Sequence, residues 1–231
     1  MLVVGCGQTT LSSSEPADAD VNSDAQRDLG SSAADAFEMD ALAMAGDATT
    51  DANLEPYDSG PGCPPLVGPF GISAGSIVDP SLALEGFAPH GDSAQLFHLG
   101  DFYDCDGSRG INAIEIIETS AWCGACYADA TEFNTLLTTT WSGLGVTGLW
   151  LLAQDTTSTL ATSETALNYR NSLSLNDTYV VADPPWTFDT PGVVISNTLI
   201  DPRTMRVIEH GIGYPTGGSS EVETLARSNM P

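Results

Sequence analysis

The clearest pattern of apolar and polar positions lies between residues 111 and 153. Ile111 to Ser120 is an apolar run with isoleucine at 111, 114, 116 and 117, which reads as a strand. Tyr127, Ala130, Phe133, Leu136 and Leu137 then recur at helical spacing, predicting a helix from Gly124 to about Thr140. Val146 to Ala153 is almost continuously apolar, as a strand covered on both faces should be. Ser163-Glu164 opens a second helical segment that runs to Leu173, and Tyr179 to Ala182 reads as a short strand. Val193 to Ile200 and Met205 to His210 predict two strands around the turn Asp201-Pro202-Arg203-Thr204, and Ser219 to Ser228 a closing helix. Upstream, Leu82-Ala83-Leu84 and Gln95 to Leu99 predict a hairpin, with Asp101 to Gly110 a polar turn after it. This order of strands and helices predicts an α/β domain with a central mixed β-sheet flanked by helices.

Composition changes the picture at the N-terminus. Of 31 acidic residues, twelve fall before residue 61, where Arg27 is the one base and aromatics are nearly missing. Such a stretch buries too little apolar surface to offset its ordering entropy. Residues 7–60 therefore read as a disordered, self-repelling acidic linker, and residues 61–231 as the folded domain. Six arginines and no lysine face those acids, which argues against direct nucleic-acid binding, since phosphate contacts need clustered cations. No segment is long and apolar enough to span a membrane.

The candidate chemistry is Trp122-Cys123-Gly124-Ala125-Cys126, placed where the predicted strand ends and the helix begins. The two sulfurs then lie one helical turn apart and can close a disulfide. The first lies at the helix N-terminus, where unpaired N–H groups and the macrodipole stabilise a thiolate. Zinc would need two more ligands at suitable spacing, and His90, His98 and His210 supply no such cluster, so no metal is expected. Cys63 and Cys105 lie in polar, loop-like surroundings and are candidates for a second, structural disulfide. Asp104-Cys105-Asp106-Gly107-Ser108 is as oxygen-rich as a calcium loop, but its twelfth position, Glu115, falls inside a predicted strand, so a plain polar turn is expected. Arg203, following a tight turn, is expected to be solvated.

Over roughly residues 66–228 the chain resembles the thioredoxin superfamily. Its long lead-in and extra N-terminal β-hairpin resemble the TlpA/ResA-type extracytoplasmic thiol–disulfide oxidoreductases. The resemblance implies that Cys123 is the nucleophile, that Cys126 resolves the mixed disulfide, and that Trp122 shields the pair. It also implies a cis-proline facing the disulfide, for which Thr190-Pro191 fits, the backbone of residue 190 pairing with an extended client segment. The buried Asp that thioredoxins carry six residues before the first Cys is Ile117 here, and Glu115 and Glu118 are off register. ResA-type members carry a Glu three residues after the second Cys; Asp129 stands there and is the candidate proton acceptor. The implied activity is exchange with partner-protein thiols and disulfides, as a reductant fed by an upstream electron donor protein, with no bound cofactor.

Two rival readings stay open. A peroxiredoxin-like peroxidase would have Pro and Thr in a P-x-x-x-T-x-x-C pattern, where this chain has Ile116 and Ser120. A non-catalytic envelope interaction domain would keep the disulfide for structure alone. Finally, Val3-Val4-Gly5-Cys6 resembles a lipoprotein lipobox, with residues 1–6 the remnant of a longer signal. That implies a lipid on Cys6, a membrane anchor, and a cell-envelope, periplasm-facing location, which disulfides also suit.

Overall fold

A computed structural model describes residues 62–188, 194–214 and 220–231. The acidic linker, Cys6, Thr190 and Pro191 lie outside the described residues.

The architecture is the expected α/β one, a mixed sheet with the order of elements of a thioredoxin fold. Strands β1 (Ala83–Phe87), β2 (Gln95–His98), β3 (Ala113–Thr119), β4 (Val146–Leu152), β5 (Tyr179–Ala182), β6 (Ser196–Asp201) and β7 (Arg206–Ile212) alternate with helices α1 (Cys126–Thr138), α2 (Ser163–Leu173) and α3 (Ser220–Asn229). They form one sheet in the order β2-β1-β5-β4-β3-β6-β7. Strands β3, β4 and β5 are parallel at its centre, while the β1–β2 hairpin and β6–β7 add antiparallel edges. The predicted hairpin is therefore part of the main sheet. A 3-10 turn, Leu99–Phe102, takes up the start of the predicted polar turn.

Every residue of β3 is buried, which follows from its central place between β4 and β6. Its side chains alternate between two cores. Ala113 and Ile117 join one with Cys126, Ala130 and Phe133 of α1, Tyr169 of α2 and Val222 of α3. Ile114 and Ile116 join the other, with Leu84, Phe102, Phe188 and Met205. All three helices thus bury their apolar faces against one side of the sheet. The flanking expected from the sequence is one-sided for helices, because the other face is closed by the 3-10 turn and by lead-in residues such as Leu66, Ile72 and Val78. Helix α1 can approach β4 closely because residue 148 is glycine: a Cβ there would lie 2.7 Å from Leu137 Cδ1 and 2.8 Å from Phe133 Cε1. Thr162 caps α2 by accepting from the Thr165 N–H, and Ser174 ends it in the left-handed conformation at φ 56°.

An irregular lead-in that covers an apolar face needs fixing, since few ladder hydrogen bonds hold it. Cys63 and Cys105 are joined at 2.03 Å across 42 residues. Arg203 fixes the same end of the molecule and corrects the expectation that it is solvated. Its side chain is 17% exposed and pairs with Asp104 at 3.1 Å. It also donates to the carbonyls of Ile111 and Asn229 and to Asn112 Oδ1. The buried Asp104 carboxylate further accepts from the N–H groups of Arg109 and Ile111, so the oxygen-rich turn spends its first carboxylate on structure. Removing the Cys63–Cys105 link with a double Ser variant is expected to cost about 3–4 kcal/mol of stability. Urea unfolding under non-reducing conditions measures it.

Glu115 is the anomaly of the core. It lies on the helix side of β3, 1% exposed, and neither carboxylate oxygen has a hydrogen bond. Burial, with the charge of Glu209 second, pushes its pKa up to about 8. The acid is therefore neutral at neutral pH. A folded-state value above the unfolded one means that the folded chain holds a proton the unfolded chain has released. Stability is then highest below about pH 4.3 as far as this group is concerned, and falls as pH rises towards and through about 8. Glu115→Gln should flatten that decline, and urea midpoints measured across this range for both chains test it.

Candidate redox site

The site is built where β3 ends. Residues 120–126 turn tightly into α1: the Cys123 N–H donates to the Ser120 carbonyl at 3.0 Å and the Cys126 N–H to the Cys123 carbonyl at 3.1 Å. Cys126, not Gly124, is the first helical residue, because these turns occupy the motif itself. The helix has Ala125 at its N-cap and no side-chain cap. No side-chain oxygen claims its N–H groups, which leaves the positive end of the helix to the sulfurs. Cys123 and Cys126 are joined at 2.01 Å, with Cα atoms 5.4 Å apart.

The two sulfurs sit in different environments. Cys123 is partly exposed, while Cys126 is 2% exposed in the helix-side core. The Thr119 hydroxyl donates to Cys126 Sγ at 3.2 Å. Thr119 is the last residue of β3 and is fully buried. It was not among the residues expected from the sequence; its signal is its place, four residues before Cys123 on the strand face that meets α1.

The flanking residues hold the motif in shape. The Tyr127 hydroxyl donates to the Ala121 carbonyl at 2.7 Å, and its ring meets Tyr169 edge-on at 5.4 Å. Trp122 is 41% exposed and its indole N–H donates to Gln154 Oε1 at 2.8 Å. It is held beside the disulfide by the β4–α2 loop. Asp129, on the first turn of α1, is partly buried. Burial, and then the charge of Glu132, raises its pKa. Its charge acts on the Tyr169 and Tyr214 phenols, which burial drives well above their ordinary value. A cleft of about 530 Å³ borders the motif, lined by Ala121, Tyr127, Asp155, Glu164, Asn168 and Tyr169 among others. Asp155 stays ionised there, held at about 2 by hydrogen bonds from Thr159 and then Thr157.

The histidines do not gather. His90 lies 3.2 Å from Asp177, His98 lies near Asp101, and His210 Nδ1 is 2.9 Å from the Thr198 hydroxyl. Among the described residues no three His, Cys, Asp or Glu side chains are placed to hold a metal.

No family model matches the chain, and no curated protein matches it. Among solved structures it is similar to a putative thiol:disulfide interchange protein DsbE from Chlorobium tepidum, at 15% identity over 69% of this chain and 99% of that one, with a TM-score of 0.45. It is similar to a putative thiol-disulfide oxidoreductase from Bacteroides vulgatus, at 19% identity over 69% and 98%, with a TM-score of 0.44. A 2-Cys peroxiredoxin from Plasmodium vivax matches at 12% identity over 67% and 94%, with a TM-score of 0.49. Likeness of this degree is one of outline, and the chemistry is argued from this chain's own residues.

The Thr119 contact generates a prediction. A hydroxyl that donates to Cys126 sulfur stabilises its thiolate once the pair is reduced. Thr119→Val keeps the shape and removes the donor. Losing about 1 kcal/mol should cut the Cys126 thiolate fraction of the reduced pair roughly five-fold at a given pH, with little change at Cys123. The pH dependence of alkylation at each thiol, read by mass spectrometry, checks it.

Proposed function

We propose that the chain is a thiol–disulfide oxidoreductase that reduces disulfides of partner proteins with its Cys123–Cys126 pair. The observation that carries this reading is the asymmetry of the two sulfurs. One is partly exposed at an uncapped helix start, and the other is buried one turn behind it against a hydroxyl donor.

The reaction begins from the dithiol. Cys123, as thiolate, attacks one sulfur of the client disulfide. The client S–S bond breaks, its departing sulfur takes up a proton, and a Cys123–client disulfide forms. Cys126 then loses its proton and attacks Cys123 sulfur, releasing the second client thiol and closing Cys123–Cys126. Two electrons and two protons pass from enzyme to client. Asp129 is the proposed acceptor of the Cys126 proton: it is a carboxylate three residues along the same helix, and its raised pKa brings it nearer to that of a thiol. Trp122 shields the pair from one side. Thr190 and Pro191 supply the backbone on which an extended client segment docks. An upstream dithiol protein restores the reduced pair by the same exchange run in reverse.

The proposed setting is the extracytoplasmic face of a membrane, with the domain tethered by a lipid on Cys6. Its support is the Cys63–Cys105 disulfide, which suits an oxidising compartment, and the lipobox-like Val3-Val4-Gly5-Cys6.

Paired cysteine variants test the activity. Cys123→Ser is expected to abolish reduction of a disulfide-bonded client protein. Cys126→Ser should instead accumulate a covalent enzyme–client adduct, seen on non-reducing gels and by mass spectrometry. Activity retained by Cys123→Ser overturns the reading.

A further inference from the structure

The cleft beside the disulfide takes no part in the exchange steps. One wall is a face of α2, from Glu164 and Thr165 through Asn168 to Ser172, positions three and four apart that share one side of a helix. Asp155 and Thr156, from the loop after β4, form the other. Ala121, two residues before Cys123, and Tyr127, the residue after Cys126, close the cleft on the side of the motif. Its volume of about 530 Å³ holds a long side chain. The loop also ties the cleft to the motif, since Gln154, next to Asp155, accepts from the Trp122 indole N–H at 2.8 Å.

Depth sorts the lining by chemistry. Ala121 and Tyr169 are buried and Tyr127 is half-buried, so the floor holds two aromatic rings that meet edge-on. Thr156, Glu164 and Asn168 are exposed and form the rim, with the half-buried Asp155 beside them. An aromatic floor under carboxylates suits a side chain with an apolar stem and a cationic head, which is arginine or lysine.

The negative charge of the rim is fixed and uncompensated. The Asp155 carboxylate accepts from the N–H and hydroxyl groups of Thr157 and Thr159, at 2.6 to 3.0 Å. Those partners are all neutral, so the charge of Asp155 is held in place without being cancelled. Among the described residues no arginine lines the cleft, and the chain has no lysine. Arg170, on α2 itself, spends its guanidinium on the Gly91 carbonyl and the Phe87 ring. A cation entering the cleft therefore meets two carboxylates and no competing base.

We propose that this cleft is the specificity site of the exchange reaction and takes an arginine or lysine side chain that flanks the client disulfide. Asp155 and Glu164 are its specificity-determining residues: they favour cationic client segments and repel acidic ones. The inference rests on the exchange activity proposed above and adds the class of client. A net charge of −25 also draws cations to the surface as a whole, so a control has to separate the cleft from the overall field.

The test mixes the reduced full chain with three cystine-bridged peptides of one sequence, flanked by Arg, Gln or Glu. Closure of Cys123–Cys126 is followed at neutral pH and low salt by acid quench and alkylation. The half-saturating concentration is expected to be lowest for the Arg peptide and several-fold higher for the Glu peptide. Asp155→Asn combined with Glu164→Gln should raise it several-fold for the Arg peptide, to near that of the Gln peptide. Glu164→Gln alone, at an exposed position, should give part of that shift and decides the matter if the Asn variant does not fold. Asp92→Asn combined with Glu223→Gln, on the β1–β2 loop and α3, removes the same charge away from the cleft and should keep the preference. Equal values for the three peptides, a preference that the cleft variants retain, or its equal loss in the control would overturn the inference while leaving the exchange activity standing. No exchange with any peptide by the wild-type chain would overturn the exchange reading and this inference together.

Discussion

A central strand with no solvent on either face has to end somewhere, and in this protein it ends at the Cys123–Cys126 disulfide. Strand β3 is buried along all seven residues. Its last two residues are polar, so each must find a partner inside the protein. Thr119 finds Cys126 sulfur and Glu118 finds the Phe188 N–H. The same strand end thus fixes Cys126 on one face and Phe188 on the other. The helix that begins at Cys126 is held down in turn by Phe133 and Leu137 against the Cβ-free surface at Gly148. Position and chemistry at the site follow from these contacts together.

The asymmetry of the two sulfurs follows from the same arrangement. The turn of residues 120–126 lifts Cys123 to the surface, while the first turn of α1 returns Cys126 to the core beside Ala121 and Ala130. A partly exposed sulfur and a buried one are what the proposed two-step exchange needs. Away from the site, Cys63–Cys105 and the Arg203–Asp104 pair hold the irregular layer over the helix-free face. That layer has little regular structure of its own, and it closes the core into which Glu118 and Phe188 project.

The local patterns were legible in the sequence where one element decides them. The apolar runs of β3 and β4 and the helical spacing of α1 needed only periodicity, and the bounds of α2 and β5 were read residue for residue. Partners distant along the chain were not legible. Arg203 reads as a solvated turn residue until Asp104, 99 positions away, is folded against it. The acids of β3 carry the same lesson. Glu115 and Glu118 look off register when compared with the single acid position of thioredoxins, yet both are buried, one without a partner and one holding a loop. Thr119 carries no signal in the sequence because threonine in a strand is ordinary; only the return of α1 places a sulfur on it.

The most direct test of the central claim is the reduction potential of the Cys123–Cys126 pair. The chain is equilibrated with glutathione buffers and the free thiols are counted by alkylation and mass spectrometry. A reversible transition near or below about −250 mV is expected of a reductant that draws on an upstream donor. A disulfide that stays closed under strongly reducing buffer would be structural, and would contradict the account.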